Sequence, residues 1–79
     1  MQYVYILQSK SDPERYYIGT TSDLKLRLAK HNRGEVHHTA KFMPWDLKTY
    51  LAFDQPAKAF AFEAYLKSAS GRAFAKKRL

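Results

Sequence analysis

Tyr3-Val4-Tyr5-Ile6-Leu7 and Arg15-Tyr16-Tyr17-Ile18-Gly19-Thr20, joined by Ser9-Lys10-Ser11-Asp12-Pro13-Glu14, decide the fold. Residues 2–8 and 15–20 are rich in aromatic and β-branched residues that alternate with period two, so both read as strands. Asp12-Pro13 starts a turn, and so short a connection predicts an antiparallel hairpin. Alternation puts Tyr3, Tyr5 and Leu7 on one face, with Val4 and Ile6 on the other. In the second strand Tyr17 and Gly19 share a face opposite Tyr16 and Ile18, so Tyr5 and Tyr17 can face the same way on neighbouring strands.

Outward from the hairpin, Thr21-Ser22-Asp23 reads as a helix start, with a hydroxyl cap and an acid in the first turn. Leu24 and Leu28 form its core stripe, and Asn32-Arg33-Gly34 ends it. Residues 34–46 read as a loop around Pro44-Trp45. Leu47 to Phe53 reads as a third strand with Leu47, Thr49, Leu51 and Phe53 on one face. Asp54-Gln55-Pro56 opens a helix that runs through Lys67, since proline is tolerated in a first turn. Ser68 to Gly71 breaks it, and residues 72–78 form a short basic helix or tail. The order strand, strand, helix, strand, helix, short helix predicts a small α+β sandwich.

Seventy-nine residues predict a single domain, 1–79, able to bury roughly 60% of its unfolded surface. A chain 46% hydrophobic and 15% aromatic can build a core and is not disordered in type. With no cysteine, disulfides, thiolate zinc sites and cysteine nucleophiles are excluded, and a reducing cytoplasm is the expected compartment. No export signal is visible, and no stretch approaches the ~20 apolar residues that span a bilayer. A net charge of +7 attracts polyanions, each phosphate contact releasing counterions.

Arg27 and His31 lie about 40° apart around their helix, on one side and at the edge of the apolar stripe. The plainer reading is a solvated flank with Asp23 pairing to Arg27 at i,i+4. Glu63 sits on a helix that is apolar almost all round, the pattern of a buried helix, where a carboxylate needs a partner. That partner is either Lys67, one turn on, or a hard cation such as magnesium, which one carboxylate plus waters and a phosphate can hold. Six tyrosines are most simply strand and core residues. A phenol with its usual pKa of about 10 is a poor base at neutral pH, and nearby Arg27, His31 and a metal are the groups that could lower it.

Together these residues resemble the GIY-YIG nuclease superfamily, in particular the small stand-alone bacterial branch related to the catalytic domain at the N-terminus of the repair excinuclease. Tyr3-Val4-Tyr5 stands at the first motif, without the glycine and isoleucine of the family name, and Tyr17-Ile18-Gly19 at the second. Arg27 and His31 follow Gly19 at the family's spacing, and Glu63 matches its metal-binding glutamate. His38-Thr39-Ala40-Lys41-Phe42 through Pro44-Trp45, and Glu63 through Leu79 with Lys67 to Phe74 within it, carry the likeness to the small branch. The resemblance implies an α+β fold, a three-stranded mainly antiparallel sheet flanked by helices in the order β-β-α-β-α-α. It implies that Tyr5 or Tyr17 helps activate water, with Tyr17 the nearer, that Arg27 neutralises the scissile phosphate, and that His31 orients or shuttles a proton. Glu63 would hold a single Mg2+ or Mn2+. Some relatives carry a later asparagine, for which either Lys67 or Ser70 stands in here or nothing does, and some a second histidine, for which His37 and His38 are the two candidates.

The function implied is a metal-dependent endonuclease acting on nucleic acid, DNA first, structure-selective or engaged in repair or recombination. The alternative is a non-catalytic nucleic-acid-binding module, with Lys41, Lys67, Arg72, Lys76, Lys77 and Arg78 on phosphates and Phe42, Trp45 or Phe74 stacking. A third class is a structural domain with incidental polar residues. No membrane is involved in any of them; the nuclease would be structure-selective, weakly specific or targeted by a partner protein, and a homodimer stays open as an assembly.

Overall fold

The computed structural model describes residues 1–79. β1 (Gln2–Ser9) and β2 (Tyr16–Thr21) pair antiparallel, aligning Tyr5 with Gly19 and Leu7 with Tyr17. The turn between them is fastened locally, since Asp12 N–H donates to Ser9 Oγ at 3.0 Å and Arg15 N–H to the Asp12 carbonyl at 2.8 Å. β3 (Trp45–Phe53) pairs antiparallel on the other side of β1, giving the sheet order β2-β1-β3. The fold is α+β, as the element order predicts.

β3 corrects one expectation. It begins at Trp45 rather than Leu47, and its register slips so that Ile6 faces Thr49 while Leu7 faces Leu47. Lys48 is the extra residue of a β-bulge, which bends a strand and re-aims its side chains. Leu47 therefore leaves the face of Thr49, Leu51 and Phe53 and packs instead with Tyr5, Leu7 and Trp45. The period-two burial of the strand survives the bulge, so sequence alternation alone hides it.

The two sheet faces carry different layers. α1 (Leu24–Asn32) covers Tyr5 and Leu7 with Leu24 and Leu28. Its N-cap is the Asp23 carboxylate, which accepts from Leu26 N–H at 3.0 Å, so the cap is the acid and no acid follows in the first turn. Gly34 at φ 73 turns the chain out of α1, a left-handed conformation that favours glycine. The segment that follows is not an open loop. A 3-10 turn at Ala40–Phe42 brings Val36 and Thr39 into the interior, Trp45 Nε1 donates to the Thr39 carbonyl at 2.9 Å, and Ser9 Oγ to that of Phe42 at 2.6 Å. The Asn32 amide clamps the segment's end by donating to the Trp45 carbonyl at 3.0 Å and accepting from its N–H.

α2 (Pro56–Leu66) and α3 (Ala69–Arg78) cover Val4 and Ile6 on the opposite face. α3 is the helix of the two alternatives, and it starts at Ala69, three residues earlier than expected. Ser68 caps it by accepting from Gly71 N–H at 3.1 Å, and Gly71 lies inside it because any Cβ there would run into the Tyr65 carbonyl. α2 is also not the buried helix its composition predicts. Ala59 and Leu66 are enclosed, whereas Phe60 is 52% and Tyr65 41% exposed. A three-stranded sheet and one neighbouring helix cannot surround it, a consequence of small size. No helix is long and apolar enough to cross a membrane.

Candidate active site

Tyr5 stands at the centre of the middle strand, 1% exposed, with its ring toward α1. Directly opposite, Gly19 leaves the room the phenol occupies. A Cβ at Gly19 would lie 2.7 Å from Tyr5 Cζ and 2.9 Å from Tyr17 Cε2, inside van der Waals contact with both rings. One α-helical turn sets Arg27 and His31 over this spot. Arg27 Nε–H points to Tyr5 Oη at 3.4 Å, and His31 Nε2 lies 2.9 Å from the same oxygen. The plainer reading of Arg27 fails, because Asp23 spends its carboxylate on the helix cap and makes no ion pair with it. His31 is buried completely, deeper than a helix edge predicts, because residues 36–45 fold over it.

Thr39, which sequence spacing does not single out, completes the chain of bonds. His31 Nδ1 lies 2.7 Å from Thr39 Oγ1, and that hydroxyl donates to the Val36 carbonyl at 3.3 Å. The proton directions follow from satisfying every buried donor. Thr39 gives its proton to Val36 and so accepts from His31 Nδ1–H. His31 Nε2 is then a lone-pair acceptor for the Tyr5 hydroxyl, which in turn accepts from Arg27. The reverse arrangement would leave the enclosed Tyr5 O–H without an acceptor. No buried side-chain polar atom lacks a partner.

Electrostatics agree with this direction. Burial, with the Arg27 charge adding to it, pulls His31 down from 6.5 to about 4, so the imidazole is neutral at physiological pH. Burial also pushes the Tyr5 phenol up, outweighing the hydrogen bond from Arg27 that lowers it, with the Tyr17 and Glu63 charges pushing the same way as burial. Arg27 is held further above its usual value, chiefly by its bond to Tyr5. The expectation that Arg27 and His31 make a tyrosine more acidic therefore fails at Tyr5, where desolvation wins. Tyr17 is half-buried, its ring centroid 5.0 Å from that of His31, 6.2 Å from that of Tyr5 and 6.5 Å from that of Trp45.

Glu63 projects from α2 near enough for its charge to act on Tyr5. Its side chain is 23% exposed, and Oε2 accepts from Lys67 Nζ at 3.2 Å. Of the two partners expected for Glu63, the lysine bridge is the one formed. No set of three His, Asp or Glu side chains converges anywhere in the fold. A lone hard carboxylate fits magnesium, which keeps most of its waters and takes substrate phosphate oxygens as well.

The remaining candidates separate. His37 and His38 are exposed, their rings 5.8 Å apart, with no bond to the cluster. Lys41 and Lys77 are exposed on the 3-10 turn and α3, whereas Lys67, Arg72 and Lys76 line a common cavity with Tyr17. Of the aromatic residues expected to stack, Trp45 and Phe42 are committed elsewhere, and Phe74 stays partly open. Trp45 is 4% exposed, Phe42 lies under the Arg15 guanidinium at 4.3 Å, and Phe74 packs on Phe62 and Tyr65.

Residues 1–78 match the family described as the GIY-YIG catalytic domain. The chain belongs to the GIY-YIG family. Among GIY-YIG relatives, it is 37% identical over 71 residues to a UPF0213 protein of Streptococcus pyogenes serotype M5, covering 89% of this chain and 75% of that one. It is 38% identical over 66 residues to the structure-specific endonuclease subunit SLX1 of Scheffersomyces stipitis. That match takes in 76% of this chain but only 19% of the relative, so the chain spans about a fifth of that protein. The solution NMR structure of a UPF0213 protein from Bacillus halodurans superposes with a TM-score of 0.57 at 32% identity, covering 96% of this chain and 81% of that one. The GIY-YIG assignment thus rests on sequence and fold together.

Proposed function

We propose that this GIY-YIG domain is a metal-dependent endonuclease that hydrolyses phosphodiester bonds, DNA being the first substrate to test. The observation that carries the reading is the hydrogen-bonded line Arg27–Tyr5–His31–Thr39, with half-buried Tyr17 beside it. A structural core has no need to bury a neutral histidine that accepts from a phenol which also receives a guanidinium.

In this reading the Arg27 guanidinium neutralises the phosphate and stabilises charge that grows in the transition state. Tyr17, the more accessible phenol, contacts the attacking water. Tyr5 Oη takes the attacking water's proton as its own passes to His31 Nε2, the lone pair that already accepts it, so the two transfers are concerted and no free phenolate forms. Thr39 holds the tautomer that keeps this lone pair available. Glu63 would hold a single Mg2+ or Mn2+, whose role when bound is to offset charge on the leaving oxygen. Selectivity for branched or repair substrates falls to a partner protein or a second copy.

The ion pair of Glu63 with Lys67 favours a second reading, a nucleic-acid-binding module that does not cut. Labelled branched and linear DNA, with and without magnesium or manganese, separates the two. Wild type should nick in a metal-dependent way, and Glu63→Gln should cut about 100-fold more slowly or worse, the usual cost of losing one group that stabilises transition-state charge. Binding without cleavage on every substrate selects the module, and unchanged nicking by Glu63→Gln sinks the assignment of this site.

A further inference from the structure

A cavity of about 900 Å³ opens on the sheet face opposite Tyr5, between β1–β2 and the α2–α3 pair. Its floor is apolar, built from Ile6, Ile18 and Leu66. Lys48, Lys67, Arg72 and Lys76 line it, against one acid, Glu14. Tyr16 lines it too and is 51% exposed, although it lies beside the domain's core strand. The ring is positioned rather than loose. Gln8 Nε2 donates to Tyr16 Oη at 3.2 Å, and the bulge residue Lys48 brings its ammonium to 5.8 Å from the ring centroid. The bulge therefore does two things, turning Leu47 to one face and sending Lys48 to the cavity on the other.

An apolar floor, an exposed aromatic ring and several cations around one recess match the parts of a nucleotide. The base needs a flat apolar surface, and the phosphates need cations. A paired base cannot enter, because it is held in its stack, whereas an unpaired one can. The volume lies within the range of sites that enclose a small ligand. The cavity also meets the phenol cluster, since Tyr17 lines both and Lys67 reaches Glu63.

We infer that this recess is a subsite for one unpaired nucleotide of a nucleic-acid strand, its base on Tyr16 and its phosphates on Arg72, Lys76 and Lys67. The strand then continues past the β2 edge toward Arg27, a destination that rests on the nuclease reading. The preference is for single-stranded segments next to the cut, a selectivity independent of sequence.

Fluorescence anisotropy without divalent ions tests the subsite apart from cleavage. A labelled oligothymidine should bind at least about 10-fold tighter than a duplex with the same number of phosphates. Tyr16→Ala should weaken the oligothymidine by about 5- to 10-fold, the cost of one stacked base, and leave its salt dependence unchanged. Arg72→Gln with Lys76→Gln should lower the slope of log affinity against log salt by about 1.4, roughly 0.7 per lost phosphate contact. All three positions are exposed, so the variants keep the fold, which circular dichroism verifies. Equal affinity for duplex and single strand, or no effect of Tyr16→Ala, overturns the subsite. Displacement of the oligothymidine by polyglutamate of equal charge at equal concentration also overturns it and makes the recess an acidic-peptide site. If the binding pattern holds while no substrate is cut with magnesium or manganese, the nuclease reading falls and the subsite stands.

Discussion

Every polar atom around Tyr5 has one assignable role, and that single-valued pattern makes the residue scale testable. His31 is neutral because the interior disfavours its charge and Arg27 repels it, holding its pKa at about 4 against the usual 6.5. Lowered in the folded state, it binds its proton less readily there than in the unfolded chain. Its contribution to stability is therefore complete above about pH 6.5 and is lost as pH falls toward 4, by at most about 3 kcal/mol. Denaturant unfolding at steps between pH 7 and pH 4 should reveal this decline, and His31→Gln should flatten it. Equal pH slopes in the two proteins would contradict a buried neutral imidazole. The motif letters were legible at this scale, whereas Thr39 was not. A hydroxyl eight positions after a histidine has no spacing signature, and only the folding of residues 36–45 back onto α1 brings the two together.

At the scale of elements, type and order followed from periodicity, turn chemistry and capping residues, because these act locally. Burial did not follow so closely. α2 looks apolar on nearly every side, yet Phe60 lies open to solvent. Phe60→Ser should accordingly change stability by no more than about 0.5 kcal/mol, the range for surface substitutions away from special features. A fully buried phenylalanine at that position would cost several times more, so thermal or urea unfolding of the variant decides between the helix its composition suggests and the one observed. The bulge in β3 was equally hidden. Trp45, Leu47, Thr49, Leu51 and Phe53 keep alternate burial in sequence while dividing between two faces in space, since the inserted Lys48 reverses the pleat.

For the whole molecule the dominant property is charge. A domain of this size carrying +7 should gather nucleic acid mainly through phosphate contacts and released counterions. On any substrate it cleaves, kcat/KM should fall at least about 10-fold between roughly 50 and 200 mM monovalent salt, in line with such contacts. The value of kcat should change little, because the salt term acts on association. A steady-state series at fixed metal concentration measures both, and a salt-insensitive kcat/KM would place recognition outside the basic surfaces.

The sequence by itself determined the α+β class, the β1–β2 hairpin and the family, and it proposed Tyr5, Tyr17, Arg27, His31 and Glu63 as candidates. These rest on short-range periodicity and on motif spacing, which survive without knowledge of packing. The tertiary structure alone decided which way protons point in the cluster, that burial drives the Tyr5 phenol up rather than down, and that Glu63 is bridged to Lys67. It alone gathered Tyr16, Lys48, Arg72 and Lys76 around one recess. The physical reason is the same throughout. Desolvation and hydrogen-bond direction depend on everything that surrounds a group, and those surroundings come from segments far apart in the chain.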